Sequence, residues 1–212
     1  MKISICCTNC DLFQSIRKAH YSMQPARLYL SHGYLNGANI NRSPLSYLAN
    51  PEYERLKYDH NTDRDFIQLN IFSVSTGQAM GIINWFAVHG TSMNSSNTLI
   101  CGDNKGAASY MMEKEFNPGR RPGTGPFIAA FASANLGDAS PNTEGPQCRD
   151  TGLPCDALHS TCGGSNQQCI AFGPGKDMFD STWIIAERQF LKAKELFNHA
   201  HDHIEVTGPI GK

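Results

Sequence analysis

Position 89 holds a histidine at a place suited to metal binding. His89 directly follows the apolar run 80–88, and Gly90 after it leaves room for a ligand. A strand would hold the imidazole in place while the following loop admits the ligand. A lone histidine at a strand end is also a common hydrogen-bonded structural residue. Zinc needs three or four protein ligands, and no second ligand lies near His89 in the sequence, so the residues alone favour the structural interpretation.

The second candidate is Ser140, in the loop that follows another apolar run, 126–132. Gly137 permits close approach of the backbone, and exposed N–H groups of such a loop can stabilise an oxyanion. A serine hydroxyl becomes a good nucleophile only when a base or a metal assists the loss of its proton. The loop does not match the G-x-S-x-G elbow of α/β-hydrolases. An Asp-x-Ser-Pro turn, formed by Asp138 to Pro141, is the alternative that the residues favour.

Two further groups could bind a metal. His199 and His203 have the i, i+4 spacing of zinc-binding histidines on a helix, with His201 between them. Histidines at a helix C-terminus also simply complement its negative end, and we favour that interpretation. The single C-x-x-C motif, residues 7–10, lies in a terminus with no predicted secondary structure and is left unassigned.

The apolar pattern predicts the elements that hold these loops. Residues 66–72 alternate with period two and form a hairpin with the run 80–88, which is apolar on both faces and belongs in a sheet covered on both sides. A helix over 107–116, capped by Asp103-Asn104, precedes a buried strand over 126–132. Strands separated by helices indicate an α/β fold, a mixed sheet with flanking helices.

One long helix is predicted near the C-terminus, over about residues 177–201. Its apolar residues follow the 4-3-4-3 spacing of a single helix face, which predicts core packing. The face consists of Phe179, Trp183, Ala186, Phe190, Ala193, Phe197 and Ala200.

Four cysteines recur at every seventh position, 148, 155, 162 and 169, in a segment rich in Gly, Asn, Ser and Pro. A segment of this polarity cannot form a hydrophobic core of its own, so four cysteines within it are typical of a loop held by disulfide bonds. Disulfide bonds in turn indicate an oxidising compartment. Zinc would require paired C-x2–4-C spacing, which is absent. The spacing alone allows three pairings. The sequon Asn94-Ser95-Ser96 agrees with an extracellular protein but is weak by itself.

The composition excludes several classes of protein. The chain has 212 residues, 40% of them hydrophobic and 17% charged, with 18 basic and 19 acidic residues. A chain of this length and composition buries a real core. No basic stripe of the kind that nucleic-acid binding requires is present. No apolar run approaches the length of a transmembrane helix, and the first residues do not match a signal peptide.

Five stretches, in this order, carry a resemblance to a known family: residues 41–51, 84–93, 102–106, 135–142 and 173–179. Together they resemble the neutral ceramidases, zinc-dependent amidases that hydrolyse ceramide to sphingosine and a free fatty acid. The most specific is the loop 135–142, Asn-Leu-Gly-Asp-Ala-Ser-Pro-Asn. The resemblance runs from about residue 15 to residue 209, nearly the whole chain, and residues 1–14 form an atypical N-terminal segment.

The resemblance implies a role for several residues. Ser140 matches the family's catalytic serine, His89 matches a zinc ligand, and Arg42 matches the arginine that lines the substrate pocket. Residues 15–212 then form part of the N-terminal catalytic domain, in which Asn135 and Asp138 support the serine loop. The family's crossed bridges imply the pairs 148–162 and 155–169. The implied location is extracellular or in the secretory pathway, with the plasma-membrane surface as one option, where ceramide is the lipid substrate.

The chain also departs from the family. Family members are far longer, with a His-x-His-Ser-Gly stretch upstream and a glutamate and a tyrosine ligand downstream. We therefore expect these 212 residues alone to be inactive, as a fragment, a partial gene model or a truncated paralogue. Two alternatives stay open. One is a non-catalytic pseudoenzyme fragment that binds a lipid or a partner. The other is a metal-free serine hydrolase, which would need a second histidine and an acid near Ser140.

Overall fold

The structure is a computed structural model that describes residues 2–209, with the backbone alone for residues 2–11. Its helices are α1 (Lys2–Tyr21), α2 (Pro44–Leu48), α3 (Glu52–Arg55), α4 (Asp103–Phe116) and α5 (Met178–Asn198). Its strands are β1 (Ala26–Tyr34), β2 (Ile40–Asn41), β3 (Asp65–Ser73), β4 (Ala79–Phe86), β5 (Ile128–Ser133), β6 (Ala139–Ser140), β7 (Gly145–Cys148), β8 (Cys169–Phe172) and β9 (Ile204–Val206). Short 3-10 turns precede β8 and β9.

The main sheet has five strands in the order β5-β4-β3-β1-β9. β3 and β4 form the predicted hairpin, with Phe66 opposite Phe86 and a register shift after Ile71. β4 and β5 are parallel, while the other pairs are antiparallel, so the sheet is mixed as predicted. The predicted α/β class is confirmed.

The parallel pair arises from a β4–α4–β5 crossover, in which the helix returns the chain to the start of the next strand. Gly81 is required where the two strands meet, because a Cβ there would lie 2.3 Å from the carbonyl oxygen of Ile128. Strands that run in the same direction present their carboxyl ends at one edge of the sheet. The loops after β4 and β5, which carry His89 and Ser140, therefore leave from the same edge.

Helices α4 and α5 pack against each other and cover one face of the sheet. Leu196 of α5 lies against Gly33 of β1, where a Cβ would approach it to 3.3 Å. Phe66, Phe86, Ile82, Met112 and Ile185 are among the largest fully buried side chains of the core between these layers. In the part of the chain described, no helix of comparable length covers the opposite face, although the apolar pattern of β4 predicts cover on both sides.

The predicted apolar face of α5 is wrong at its start. Phe179 and Trp183 are 53% and 47% exposed, whereas Ser181 and Thr182 are buried. Close packing against Gly173 explains the difference. A Cβ at Gly173 would lie 2.4 Å from the Ser181 hydroxyl oxygen, so position 181 has no room for a larger side chain. The buried Ser181 hydroxyl is satisfied within the helix, since it donates to the Asp177 carbonyl oxygen at 2.7 Å.

The cysteine segment forms the two bridges that the resemblance implies. Cys148 pairs with Cys162, and Cys155 with Cys169, across Cα distances of 5.6 and 5.8 Å. The bridges interleave along the chain and fasten a segment whose ends form the β7–β8 hairpin. Disulfide bonds indicate an oxidising compartment. No described helix is long and apolar enough to cross a membrane.

The N-terminal segment is helical, although no element was predicted there. α1 runs without a break across the predicted boundary between residues 14 and 15. The side chains of the C-x-x-C motif, residues 7–10, lie outside what the structure describes.

Candidate functional site

The backbone brings the loops of His89 and Ser140 into direct contact. The His89 N–H donates a hydrogen bond to the carbonyl oxygen of Ala139 at 3.0 Å. A second contact joins the same loops, because the Asn142 amide group lies 3.5 Å from the Thr91 carbonyl oxygen. The two predicted site residues therefore belong to one constellation at the carboxyl edge of β4 and β5.

Arg42 joins this constellation through β2, which pairs with β6 so that Ile40 stands opposite Ser140. The Arg42 N–H donates to the carbonyl oxygen of Asp138 at 2.9 Å. The Asn41 side chain donates to the Asp138 carboxylate at 2.7 Å. Asp138 thus fastens the serine loop to the segment of Arg42, in keeping with the supporting role expected for it.

Ser140 and Arg42 line one cavity of about 490 Å³. Asn142, Glu144 and Asp156 contribute further polar groups to its wall, and Cys155 brings in the disulfide segment. A volume of this size is typical of small-molecule sites. Lining residues come from β2, the serine loop and the cysteine segment, so the fold builds the cavity from parts distant in sequence.

Ser140 is buried, with 7% of its surface exposed. Its hydroxyl oxygen accepts a hydrogen bond from the Asn142 N–H at 3.2 Å. Among the described residues that line the cavity there is no histidine, while Glu144 and Asp156 are present. The second histidine that a metal-free serine hydrolase would need beside Ser140 is therefore not among the described residues that line this cavity.

The His89 side chain is partly buried, and its Nε2 atom is enclosed without a hydrogen-bond partner among the described residues. Burying an unpaired polar atom costs free energy, so such an atom calls for a ligand. A zinc ion binds neutral imidazole nitrogen. The chemistry of this atom therefore fits the metal that the resemblance implies. His89 does not line the cavity of Ser140 and Arg42, which it adjoins through the backbone.

Asp103 holds the loop that follows His89. Its carboxylate accepts hydrogen bonds from the N–H groups of Ser92 at 3.0 Å, Met93 at 2.9 Å and Asn104 at 2.7 Å. The residue is buried and adopts a φ of +50°, a backbone conformation that is uncommon outside glycine. Asp103 was predicted as a helix cap, but the cap position is Gly102; the Asp103 carboxylate accepts from Asn104 in the first turn of α4 and also from the neighbouring loop.

Asn104 continues this support toward the core. Its side-chain amide donates to the His89 carbonyl oxygen at 2.9 Å and to the Ser92 hydroxyl at 3.0 Å. Its own carbonyl accepts from the Gln189 amide of α5 at 3.1 Å. A chain of buried hydrogen bonds thus connects the long helix to the backbone of His89.

Lys105 lies behind the same edge of the sheet. Its ammonium group donates to the carbonyl oxygens of Phe86 at 2.9 Å and Ala132 at 3.0 Å, at the ends of β4 and β5. Burial lowers the pKa of Lys105 to about 7, because the charged form is poorly solvated there. Lys105 therefore joins the two strand ends from which the site loops leave.

The C-terminal histidines have structural surroundings. His201 packs edge-on against Tyr29 and tilted against Phe72, each with ring centroids 4.7 Å apart. His199 lies 3.4 Å from the Asp202 carboxylate. Among the described residues, the one cluster with metal-ligand spacing is Cys148, Cys155 and Cys162, and these sulfurs are in disulfides.

Sequence reasoning missed the supporting residues Asp103, Asn104, Lys105 and Gln189. A signal for the first three was present, since they lie in the short stretch 102–106 that also carries the resemblance. No signal marked Gln189, whose place on the helix is visible only once α5 packs against α4.

Comparison with known proteins identifies relatives of this arrangement. Residues 7–212 match the family model described as "Neutral/alkaline non-lysosomal ceramidase, N-terminal". The chain is 52% identical to Neutral ceramidase B of Dictyostelium discoideum over 201 residues, which are 94% of this chain and 27% of the relative. It is 44% identical to the Neutral ceramidase of Drosophila melanogaster over 202 residues, 94% of this chain and 29% of the relative.

Solved structures agree with the sequence relatives. A ceramidase complexed with C2 matches with a TM-score of 0.69 and 35% identity, over 91% of this chain and 25% of that one. The crystal structure of neutral ceramidase from Pseudomonas aeruginosa matches with a TM-score of 0.67 and 34% identity, over 92% of this chain and 26% of that one. The chain thus spans between a quarter and a third of the length of these relatives.

Proposed function

We propose that this chain, which belongs to the neutral/alkaline non-lysosomal ceramidase family, forms part of a zinc-dependent amidase that hydrolyses the N-acyl bond of ceramide. The observation that carries the proposal is the hydrogen bond between the His89 N–H and the Ala139 carbonyl oxygen. It supports a shared site because a metal-binding imidazole and a serine hydroxyl then lie on neighbouring backbones.

Within this proposal, His89 is a zinc ligand through Nε2, the enclosed atom that has no other described partner. Zinc supplies Lewis-acid polarisation of the amide carbonyl and lowers the pKa of bound water. The Asn104 amide donates to the carbonyl oxygen of His89 itself, and the Asp103 carboxylate accepts from the Ser92 N–H in the loop that follows. Their contribution is to fix the imidazole before substrate binds.

Ser140 contacts the scissile amide in either of two roles. As nucleophile, its oxygen attacks the carbonyl carbon, the C–N bond breaks, and the serine proton leaves with the departing amine; water then hydrolyses the acyl-enzyme to the free fatty acid and restores the hydroxyl. As an orienting group, its hydroxyl donates to the substrate while water attacks. The Asn142 N–H, which donates to the Ser140 oxygen at 3.2 Å, fixes that oxygen for both roles. Trapping an acyl group on Ser140 in a single turnover supports the first role, and its absence supports the second.

Arg42 binds substrate at the exposed side of the cavity. Its guanidinium carries five N–H donors and no acceptor, and ceramide offers an amide carbonyl and hydroxyl oxygens as acceptors. The hydrogen bond of the Arg42 N–H to Asp138 ties its backbone to the serine loop. The residue that binds the substrate, Arg42, and the loop that carries Ser140 are therefore connected by a backbone hydrogen bond.

The alternative function is a non-catalytic fragment that binds a lipid or a partner. This alternative is supported by the number of zinc ligands. Of the family's zinc ligands, only His89 has a match in this sequence, which spans 27% of Neutral ceramidase B. Both functions use the cavity of Ser140 and Arg42, and they differ only in whether an amide bond breaks.

A chimera separates them. Residues 15–209 of this chain replace the matching segment of Neutral ceramidase B from Dictyostelium discoideum, to which the chain is 52% identical. We expect the chimera to release fatty acid from ceramide and to lose the activity by about a hundredfold or more with Ser140→Ala. Ser75→Ala, in the exposed turn between β3 and β4, is the control and leaves the rate unchanged.

Zinc content of the chimera provides a second readout. Removing the imidazole in His89→Ala is expected to reduce bound zinc, whereas His203→Ala retains it. A folded chimera that binds ceramide-containing vesicles without hydrolysis would support the non-catalytic alternative. Hydrolysis that persists in a chelator would contradict the assignment of His89.

A further inference from the structure

On the face of the sheet that α4 and α5 leave uncovered, two neighbouring rows of residues are apolar from one edge to the other, while the next row carries His32 opposite Ile67, with its Nε2 atom 3.0 Å from the Asp65 carboxylate. In one row of facing residues, the side chains run Ile204, Leu30, Leu69, Ile83 and Ala130 across all five strands. Each of these positions is apolar, and none carries a charge. Alternation along the strands places this row opposite the helix-covered face.

The neighbouring row repeats the pattern. It runs Val206, Leu28, Ile71, Gly81 and Ile128, again across five strands. Exposure is high at both ends, with Ile128 62% exposed and Val206 45% exposed. The middle of the row is less exposed, since Leu28 and Ile71 are half-buried and Gly81 is buried. Large contiguous apolar surfaces are rare on monomeric proteins and mark interaction surfaces.

The helix-covered face is, by contrast, the one that buries polar side chains. Gln68 and Asn70 of β3 and Asn84 of β4 are fully buried beneath the helices. Their neighbours on the uncovered face are Ile67, Leu69, Ile83 and Trp85, of which Ile67 and Trp85 stand opposite each other and are 39% and 36% exposed. At these central positions of β3 and β4, the exposed face is therefore more apolar than the buried face.

From these rows we infer that the uncovered face, defined by the two rows and by Ile67 and Trp85, is the docking surface for further polypeptide of a neutral ceramidase. The inference rests on family membership and does not depend on the proposed activity. Neutral ceramidase B contains such additional polypeptide, because 73% of its length lies outside the 27% that this chain matches. Its partner surface is uncharged and apolar, because a charge set against either row would be desolvated without a partner.

The sheet edges favour polypeptide over lipid as the occupant. β5 and β9 are the outer strands, and no further strand pairs with them within residues 2–209. Unpaired edge N–H and C=O groups beside an apolar face are satisfied by protein, whereas hydrocarbon offers them no hydrogen bond. The proposed polypeptide covers the face and has the backbone groups to pair these edges.

Cysteine protection tests the inference. Leu30→Cys lies in the centre of the face, and Leu191→Cys on the outer side of α5 is the matched control, the parent leucines being 37% and 54% exposed. A charged maleimide is applied to each variant, in the 212-residue chain and in the Dictyostelium chimera described above, and labelled peptides are quantified by mass spectrometry. Peptide-level readout separates these sites from Cys101, which is free and exposed.

We expect Leu30→Cys to react readily in the chain alone and at least about tenfold more slowly in the chimera, because burial blocks the reagent. Leu191→Cys reacts equally in both. Equal labelling of Leu30→Cys in the two settings overturns the inference. Val206→Cys, at the edge of the face, has the same expected outcome and replaces Leu30→Cys if that variant does not fold.

Two competing occupants give distinct results. Protection in the chain alone, together with a dimer mass in light scattering, assigns the face to a second copy and overturns the inference. Protection that requires added phosphatidylcholine vesicles assigns it to a lipid surface and likewise overturns it. Neither result bears on zinc or on Ser140, so the proposed function is tested separately.

Discussion

The main-chain N–H of His89 donates to the main-chain carbonyl oxygen of Ala139, one residue before Ser140, at 3.0 Å. The hydrogen bond joins loops that follow two parallel strands, so the spacing of the loops is set by the spacing of β4 and β5. Residues behind the edge, above all Asp103 and Lys105, then determine how rigidly the loops are held.

Asp103→Asn should destabilise the protein by about 1–3 kcal/mol, since an amide cannot accept from all three N–H groups that the carboxylate now satisfies. Asp177→Asn is the matched control. Asp177 caps α5 by accepting one N–H at 2.7 Å, and asparagine caps a helix equally well. Denaturant unfolding measures both, and equal effects would contradict the role given to Asp103.

Lys105 should make stability depend on pH. Its pKa is about 7 in the folded protein and 10.5 when unperturbed, so between these values the unfolded chain binds more protons and stability rises with pH. The unfolding free energy of the wild type, minus that of Lys105→Met, should therefore increase from pH 7 to pH 10 and be flat below about pH 6. Lys114→Met, at an exposed position of the same helix, is the control substitution.

Two glycine-to-alanine changes should have opposite effects. Gly81→Ala forces a Cβ to within 2.3 Å of the Ile128 carbonyl oxygen and should cost about 1–3 kcal/mol or more by separating β4 from β5. Gly106→Ala meets nothing within 4 Å and should stabilise α4 by up to about 1 kcal/mol. Thermal unfolding checks the pair, and a neutral Gly81→Ala would mean that the strands are not packed as described.

Removing the bridge Cys155–Cys169, as the double serine variant, should lower stability by about 3 kcal/mol, the value expected for a closed loop of this length. Cys155 also lines the cavity of Ser140, so the variant should loosen that wall and accelerate amide hydrogen exchange at Asp156. Cys101→Ser removes a free thiol and serves as the control. Unchanged exchange at Asp156 would show that the bridge does not support the cavity.

The purified 212-residue chain should not hydrolyse ceramide, with or without added zinc. A single matched zinc ligand, His89, does not bind the metal with useful affinity, because zinc requires three or four protein ligands. Fatty-acid release is the measurement, with the chimera as the positive control. Zinc-dependent release by the chain alone would refute the prediction.

Three strands of the main sheet (β3, β4 and β5) and α4 could be predicted from sequence because their apolar patterns are strong and local, whereas β1 and β9 were not predicted. The β3–β4 hairpin, the crossover helix and β5 all lie close to their predicted positions. The exposed Phe179 and Trp183 could not be predicted, since the orientation of α5 depends on close packing of Gly173 against Ser181, which the apolar spacing of the helix does not reveal. Residue type and spacing alone favour a structural histidine at His89 and an ordinary turn at Ser140. Their proximity depends on the pairing of β2 with β6 and on parallel strands, which periodicity does not reveal.

The crossover has a consequence for synthesis on the ribosome. β4, α4, β5 and the serine loop are consecutive along the chain, and β2, which pairs with β6, is made before them. The segments whose backbones pair next to His89 and Ser140 are therefore translated before α5, whose Gln189 supports the His89 loop through Asn104. The edge that carries His89 and Ser140 can therefore form early, whereas the uncovered apolar face is the part of the nascent chain that a chaperone would have to shield.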